Sequence, residues 1–163
     1  MTPNILISAC LLGLNCRYDG TAKETPELNV LLQDYRVVPF CPELFGGLIA
    51  PRLPAEIRTG DGAGVLYGMA RVQNQNGQDL TPEFIRGAQA TLALVKLNQP
   101  CLIVAKANSP SCGAGKIYDG SFTGGLKNGD GVTTALLRQA GFAVYTETDL
   151  LSNPAQILGK NKY

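Results

Sequence analysis

Histidine is absent from all 163 residues. That absence removes Ser-His-Asp hydrolysis, zinc sites of the two-histidine type and imidazole as a proton shuttle near neutral pH. Proton transfer must then use carboxylates, thiols, lysines, tyrosines or bound water. Charge of either sign is not in excess, because 14 Lys and Arg stand against 13 Asp and Glu for a net charge of +1. A protein that grips a phosphate backbone usually shows a basic surplus, so nucleic acid is not expected to be the main partner. No run approaches the roughly 18 apolar residues of a membrane-spanning helix. The opening "MTPNILISACLLGL" has no Lys or Arg ahead of its apolar stretch, and Ser8 and the turn-like "GLNCRYDG" cut it short, so it reads as a buried strand and not as a secretory leader. No Cys-x-x-Cys occurs, which counts against zinc ribbons and thioredoxin-like chemistry. The expectation is a soluble, cytoplasmic protein, a setting in which cysteines point to metal binding or catalysis more often than to disulfides.

What is present suffices for one core. With 45% hydrophobic side chains, the length suits a single domain spanning residues 1–163. Strand-like and helix-like segments alternate. "NILIS" (4–8) is an apolar run, "TPELNVLLQDY" a helix with Thr25 as N-cap and Pro26 at its first position, and "RVVPF" (36–40) a second strand ending at Cys41. "PELFGGLIAPRLPAEIRTGDGAG" is dense in Gly and Pro and reads as irregular backbone, and "VLYGMARVQNQNGQDL" as a hairpin turning at Asn76-Gly77. Thr81 and Pro82 open a helix with Phe84, Ile85, Ala88, Leu92 and Val95 at helical spacing, which stops near Pro100. "CLIVAKA" (101–107) is a continuous buried strand followed by a Gly-rich loop. "VTTALLRQAG" is a helix closed by Gly141, "FAVYT" a fourth strand and "DLLSNPAQIL" one short terminal helix. Strands without polar alternation, separated by helices, predict an α/β fold: a Rossmann-like three-layer sandwich with a mainly parallel sheet and a small β-hairpin insertion.

Five cysteines are distributed unevenly over this plan. Cys10, Cys41 and Cys112 each fall just beyond the C-terminal end of an expected parallel strand, at the edge where open α/β sheets bind ligands. If the first strand lies between the second and the third, their loops meet. Cys101 begins its strand and belongs at the opposite edge, as a structural thiol. Cys16 lies in a loop that either folds back over the crevice or points elsewhere. Converging thiols of this kind are metal ligands, a redox pair or packing, and spacing alone leaves these open; three thiolates on a four-iron cluster would leave one iron free for substrate. Around them lie two Tyr-Asp-Gly turns, at Tyr18 and Tyr118, together with Glu43, Ser109 and Ser111, and Arg52 and Glu56 in "APRLPAE". A carboxylate in a desolvated crevice can act as general acid or base, although turn and loop roles account for each of these residues equally well.

"SACLLGLNCRYDG", "CPE" with the following "GGL" and "PRLPAEI", "SPSCGAGKIYDGSFTG" and "GDGVTTALL" occur in this order, and together they resemble the thiouracil desulfidase family over residues 5 to about 147. The resemblance implies a Rossmann-like domain with a [4Fe-4S] cluster held by Cys10, Cys41 and Cys112, and Glu43 and Ser109 as catalytic side chains. It implies non-redox removal of sulfur from thiouracil or a related thiopyrimidine, giving uracil and hydrogen sulfide. In that chemistry an iron without a protein ligand polarises the carbon–sulfur bond, Glu43 moves a proton between water and the ring, and Ser109 bonds the substrate or relays the proton. Longer relatives of the family act on thiolated uridine in transfer RNA and carry an additional domain, which is not expected in this sequence. The near-neutral charge likewise favours a free base or small nucleoside as substrate. Two rival readings remain: a non-catalytic iron-sulfur or zinc module, and a sulfurtransferase carrying a persulfide on Cys16 or Cys112. The preferred thiopyrimidine and the oligomeric state are not encoded in any motif.

Overall fold

The computed structural model describes residues 2–160. Its centre is a four-stranded parallel sheet of β1 (Asn4–Ser8), β2 (Arg36–Phe40), β5 (Leu102–Ala105) and β8 (Tyr145–Thr146), in the order β2-β1-β5-β8. β1 pairs with β2 from Asn4↔Arg36 to Ser8↔Phe40 and with β5 from Ile5↔Leu102 to Ile7↔Val104. The condition for the three loops to meet, the first strand lying between the second and third, is therefore met. Pro39, which lacks an N–H, is accommodated because β2 is an edge strand.

Side-chain alternation along the strands divides the core into two faces. Ile5, Ile7, Leu102 and Val104 pack with Leu28 of α1 (Pro26–Leu31), Leu150 of α6 (Glu147–Ser152) and Ile157 of α7 (Pro154–Lys160). Leu6, Ile103 and Ala105 face the other way, onto Val95 of α4 (Thr81–Asn98) and Leu137 of α5 (Val132–Gln139). Helices on both faces of a parallel sheet make the three layers of a Rossmann-like fold. Ile5, Leu6 and Ile7 are fully buried, each worth about 1.5–3 kcal/mol in transfer from water. A further cluster, built from Ile57, Val72, Phe84, Ala88 and Ile117, lies along the N-terminal half of α4. Among the described residues no helix is long and apolar enough to cross a membrane.

The segments read as irregular carry more structure than their composition suggests. Residues 42–64 contain α2 (Pro42–Phe45), β3 (Ala55–Ile57) and the start of α3 (Gly62–Leu66). The turn at Asn76-Gly77 is present, but its expected leading arm at 65–66 belongs to α3. β4 (Val72–Asn74) pairs with β3 along its length, and across the turn it keeps the Gln73↔Asp79 bridge, with the Asn74 N–H donating to the Gln78 carbonyl and the Leu80 N–H to the Val72 carbonyl. The Gly-rich stretch after β5 holds a second hairpin, β6 (Lys116–Tyr118) with β7 (Leu126–Asn128). β8 is two residues long, and the terminal helix divides at Asn153 because Pro154 cannot continue α6.

α2 is held against α4 by direct backbone contact. A Cβ on Gly46 would lie 2.1 Å from the Glu83 carbonyl oxygen, and one on Gly87 would lie 1.9 Å from that of Pro42. The Arg86 guanidinium completes the seam by donating two hydrogen bonds to the Gly46 carbonyl, at 3.0 and 2.7 Å. Gly87→Ala is expected to destabilise the protein by about 1–3 kcal/mol through overpacking, at roughly 2–4 °C of Tm per kcal/mol for a chain of this size. Gly159→Ala, where a Cβ meets nothing within 4 Å, should be neutral or stabilising. Thermal melts of both variants check the seam, and an unchanged Gly87→Ala melt would refute it.

Candidate active site

The chain reverses its direction of sheet growth at β1, since β2 is added on one side through α1 and β5 on the other through α4. A crevice opens at such a switch point, beyond the carboxyl ends of the strands. Here it is a cavity of about 320 Å3, within the usual range for small-ligand sites. Cys10, Cys16, Cys41, Glu43, Ser109 and Cys112 all line it. Cys101 lies at the other end of β5, half-buried, its N–H donating to the Asn4 carbonyl and its thiol raised in pKa by burial.

Each of these residues is placed by local backbone. Cys10 sits in a 3-10 turn (Ala9–Leu12) that follows β1 directly and ends at Gly13, whose φ of 88° supplies the left-handed cap. Cys41 ends β2 and is the N-cap of α2, with Pro42 at the first helical position. Cys112 lies against the start of α5, where a Cβ on Gly131 would come within 2.5 Å of the Ser111 carbonyl group. The Cys16 loop folds back over the crevice. Its thiol is in hydrogen-bonding contact with those of Cys10 and Cys41, and its pKa is pushed up to about 11, first by the Cys10 contact. The Cys41 thiol is likewise raised, by Cys16 and then by burial, and burial pushes Cys112 up to about 12 against an opposing hydrogen bond from Ser8. An all-sulfur donor set without histidine is of the soft type that takes iron-sulfur clusters, zinc or copper(I), and metal binding displaces the thiol protons.

Glu43 and Arg52 form a largely buried ion pair, with 16% and 11% of their side chains exposed. Arg52 donates to Glu43 Oε2 from Nε at 2.8 Å and also from Nη2. Both bonds fall on one oxygen, and Oε1 accepts none from the described residues. The same guanidinium donates to the carbonyls of Ile49 and Cys16, so one side chain ties together α2, its own loop and the loop over the crevice. Arg52 thus anchors its loop internally, and it lines the cavity as well.

Ser109 is half-buried, and its Oγ accepts from the N–H groups of Ser111 (3.1 Å) and Cys112 (3.0 Å). A hydroxyl has two acceptor positions and one donor, so what Ser109 has left to offer a ligand is its proton. The two Tyr-Asp-Gly turns are matching Asx turns. Asp19 accepts from the N–H and hydroxyl of Thr21, Asp119 does the same for Ser121, and both Tyr18 and Tyr118 reach the cavity. Those bonds hold both aspartates below the usual carboxylate range. Lys106, Glu147 and Phe122 were not singled out from the sequence. Lys106 lines the cavity and donates from Nζ to Glu147 at 2.5 Å, and Glu147 also accepts from the Ala107 N–H at 2.8 Å. A lysine ending a buried apolar strand is the one signal that marked this site. Lys116 is exposed on β6, outside the cavity.

The 2-thiouracil desulfurase family model matches residues 5–149. The uncharacterized protein YbbK of Bacillus subtilis (strain 168) is 44% identical over 146 residues, covering 90% of this chain and 97% of its own length. A solved structure described as the [4Fe-4S]-dependent thiouracil desulfidase TudS matches at a TM-score of 0.81 and 42% identity, over 97% of this chain and 99% of its own.

The Arg52–Glu43 pair is expected to couple energetically. A double-mutant cycle of Arg52→Ala and Glu43→Ala in urea should give about 1–3 kcal/mol of interaction, the scale for a hydrogen-bonded and mostly desolvated pair. A value below about 0.5 kcal/mol, typical of exposed pairs, would contradict the geometry.

Proposed function

The chain belongs to the 2-thiouracil desulfurase family, and from that premise we propose that it is a [4Fe-4S]-dependent enzyme that removes sulfur from thiouracil. The observation that carries the residue assignment is the meeting of Cys10, Cys41 and Cys112, from three neighbouring strand ends, on one cavity with Glu43 and Ser109. These three thiols are the ligands in this reading, and Cys16 is a neighbour of the set. A cluster held by three thiolates supplies an iron open to substrate, which as a Lewis acid stabilises the charge growing on sulfur when the carbon–sulfur bond breaks.

The protein's own groups manage the protons. Overall, the oxygen of one water replaces sulfur on the ring carbon, sulfide departs, and no electrons change hands. Glu43, anchored through Oε2, uses Oε1 to take a proton from the attacking water, and both protons of that water finally leave with the sulfur as hydrogen sulfide. Ser109, with both acceptor positions occupied, donates its hydroxyl proton in a hydrogen bond to the substrate. The near-neutral chain acts on a free base or small nucleoside, as one domain over residues 1–163. Its five free cysteines suit a reducing, cytoplasmic setting.

Anaerobic reconstitution with iron and sulfide, followed by incubation with 2-thiouracil and 4-thiouracil, tests the reading. The expected outcome is a brown protein that releases sulfide and forms uracil. Sulfide release from iron-free protein would instead show that the reaction needs no cluster, and a brown protein inert to both compounds would support a non-catalytic module.

Serine replacement of Cys10, Cys41 or Cys112 should each abolish iron retention, whereas Cys101→Ser should keep full iron content. Retention by Cys41→Ser would break the ligand assignment. Glu43→Gln should hold normal iron while sulfide production falls by roughly 100-fold or more, the scale of general acid-base catalysis. Full activity in that variant would move the proton transfer to another group.

A further inference from the structure

Among the described residues, Phe122 is one of three non-glycine residues with positive φ, at 59°. That region is costly for a bulky side chain and is kept only where the surroundings impose it. The surroundings here are specific. Glu56, 7% exposed, accepts from the N–H of Gly120 at 2.8 Å and from the N–H of Phe122 at 3.1 Å, both on Oε2. Gly120 lies so close to the backbone of β3 that a Cβ would sit 2.4 Å from the Arg58 Cα. Asp119 closes the other side of the loop through Ser121, and its N–H donates to the Gly125 carbonyl at 3.0 Å.

The strained residue adds nothing to the interior. Among the described residues, none of the three hydrophobic clusters contains Phe122, which is half-buried and faces the cavity together with the ring of Tyr118. A buried carboxylate, a close glycine contact and an unfavourable backbone thus converge on presenting one aromatic face to the site. We propose that Phe122 is the stacking platform for the pyrimidine ring, holding a thiolated or plain uracil flat against its face. The assignment rests on the function proposed above and specifies how that site selects a planar heterocycle. An aromatic face recognises the ring itself, so both the thiolated substrate and uracil should be held.

The test separates this role from structure and from chemistry. Phe122→Leu in the reconstituted enzyme should raise KM for thiouracil, and the Kd for uracil by calorimetry, by about 5- to 100-fold, the scale of one base–aromatic stack. Its kcat should stay within about threefold, since stacking is the same in ground and transition state. Phe122→Gly relieves the backbone and should melt no lower than the parent, yet lose uracil affinity to the same extent. The parent chain has no tryptophan, so Phe122→Trp places a single reporter at the site, and uracil should quench its emission. A normal Kd for uracil in Phe122→Leu, or a lower melt with retained affinity in Phe122→Gly, overturns the platform. These binding arms read out even if no thiouracil turns over, in which case the desulfidase reading fails and the platform is judged on uracil alone. No uracil binding to the parent at millimolar concentration overturns it as well.

Discussion

Everything at the site depends on β1 being hydrogen-bonded on both edges. Parallel pairing to β2 and β5 aligns three strand ends on one side of the sheet, and the chain then leaves each end into a loop that carries a cysteine. The register matters as much as the order. A one-residue slip would turn Ile5 and Ile7 toward α4 and Leu6 toward α1, exchanging the two halves of the core. The fully buried Ile-Leu-Ile run makes that slip expensive, so the stability of the sheet and the alignment of the thiols share one cause.

Above this frame the site is shaped by backbone contact and by carboxylates. Glycine at 46 and 87 lets α2 lie on α4, which sets the height of Glu43, and Gly131 lets α5 press on the Cys112 loop. Glu56, Glu147, Asp19 and Asp119 each bind loop N–H groups, so the walls are fixed by charge-assisted bonds where hydrophobic cover is thin. Arg52 joins two of these systems, because it reaches Glu43 and the Cys16 loop together.

The parallel sheet and α4 were legible in the sequence because continuous apolar runs and a 3.6-residue period report burial directly, whereas the strand order entered only as a condition. Residues 42–64 and the stretch after β5 were misread because density in Gly and Pro was taken for absence of structure. There Gly46, Gly120 and Gly131 serve close approach between elements that do form. The five residues expected at the site do share one cavity, and Cys16 joins them by a fold-back that its position could not disclose. Phe122 stayed hidden for a different reason: the feature that distinguishes it is a backbone angle imposed by a carboxylate 66 residues away. Lys106 ends an apolar strand, but its partner Glu147 lies 41 residues later, a pairing that no local pattern discloses.

The order of the strands in space differs from their order in time. At about 5–20 residues per second of synthesis, Cys10, Cys16 and Cys41 emerge several seconds before Cys112. During that interval β1 has only one of its two neighbours, and the thiols it carries lie beside an unpaired edge. The β5 segment gives β1 its second neighbour, and Cys112 follows in the loop after it. A nascent chain therefore carries these thiols beside an open sheet edge until β5 arrives, and the crevice they line takes shape only with that pairing.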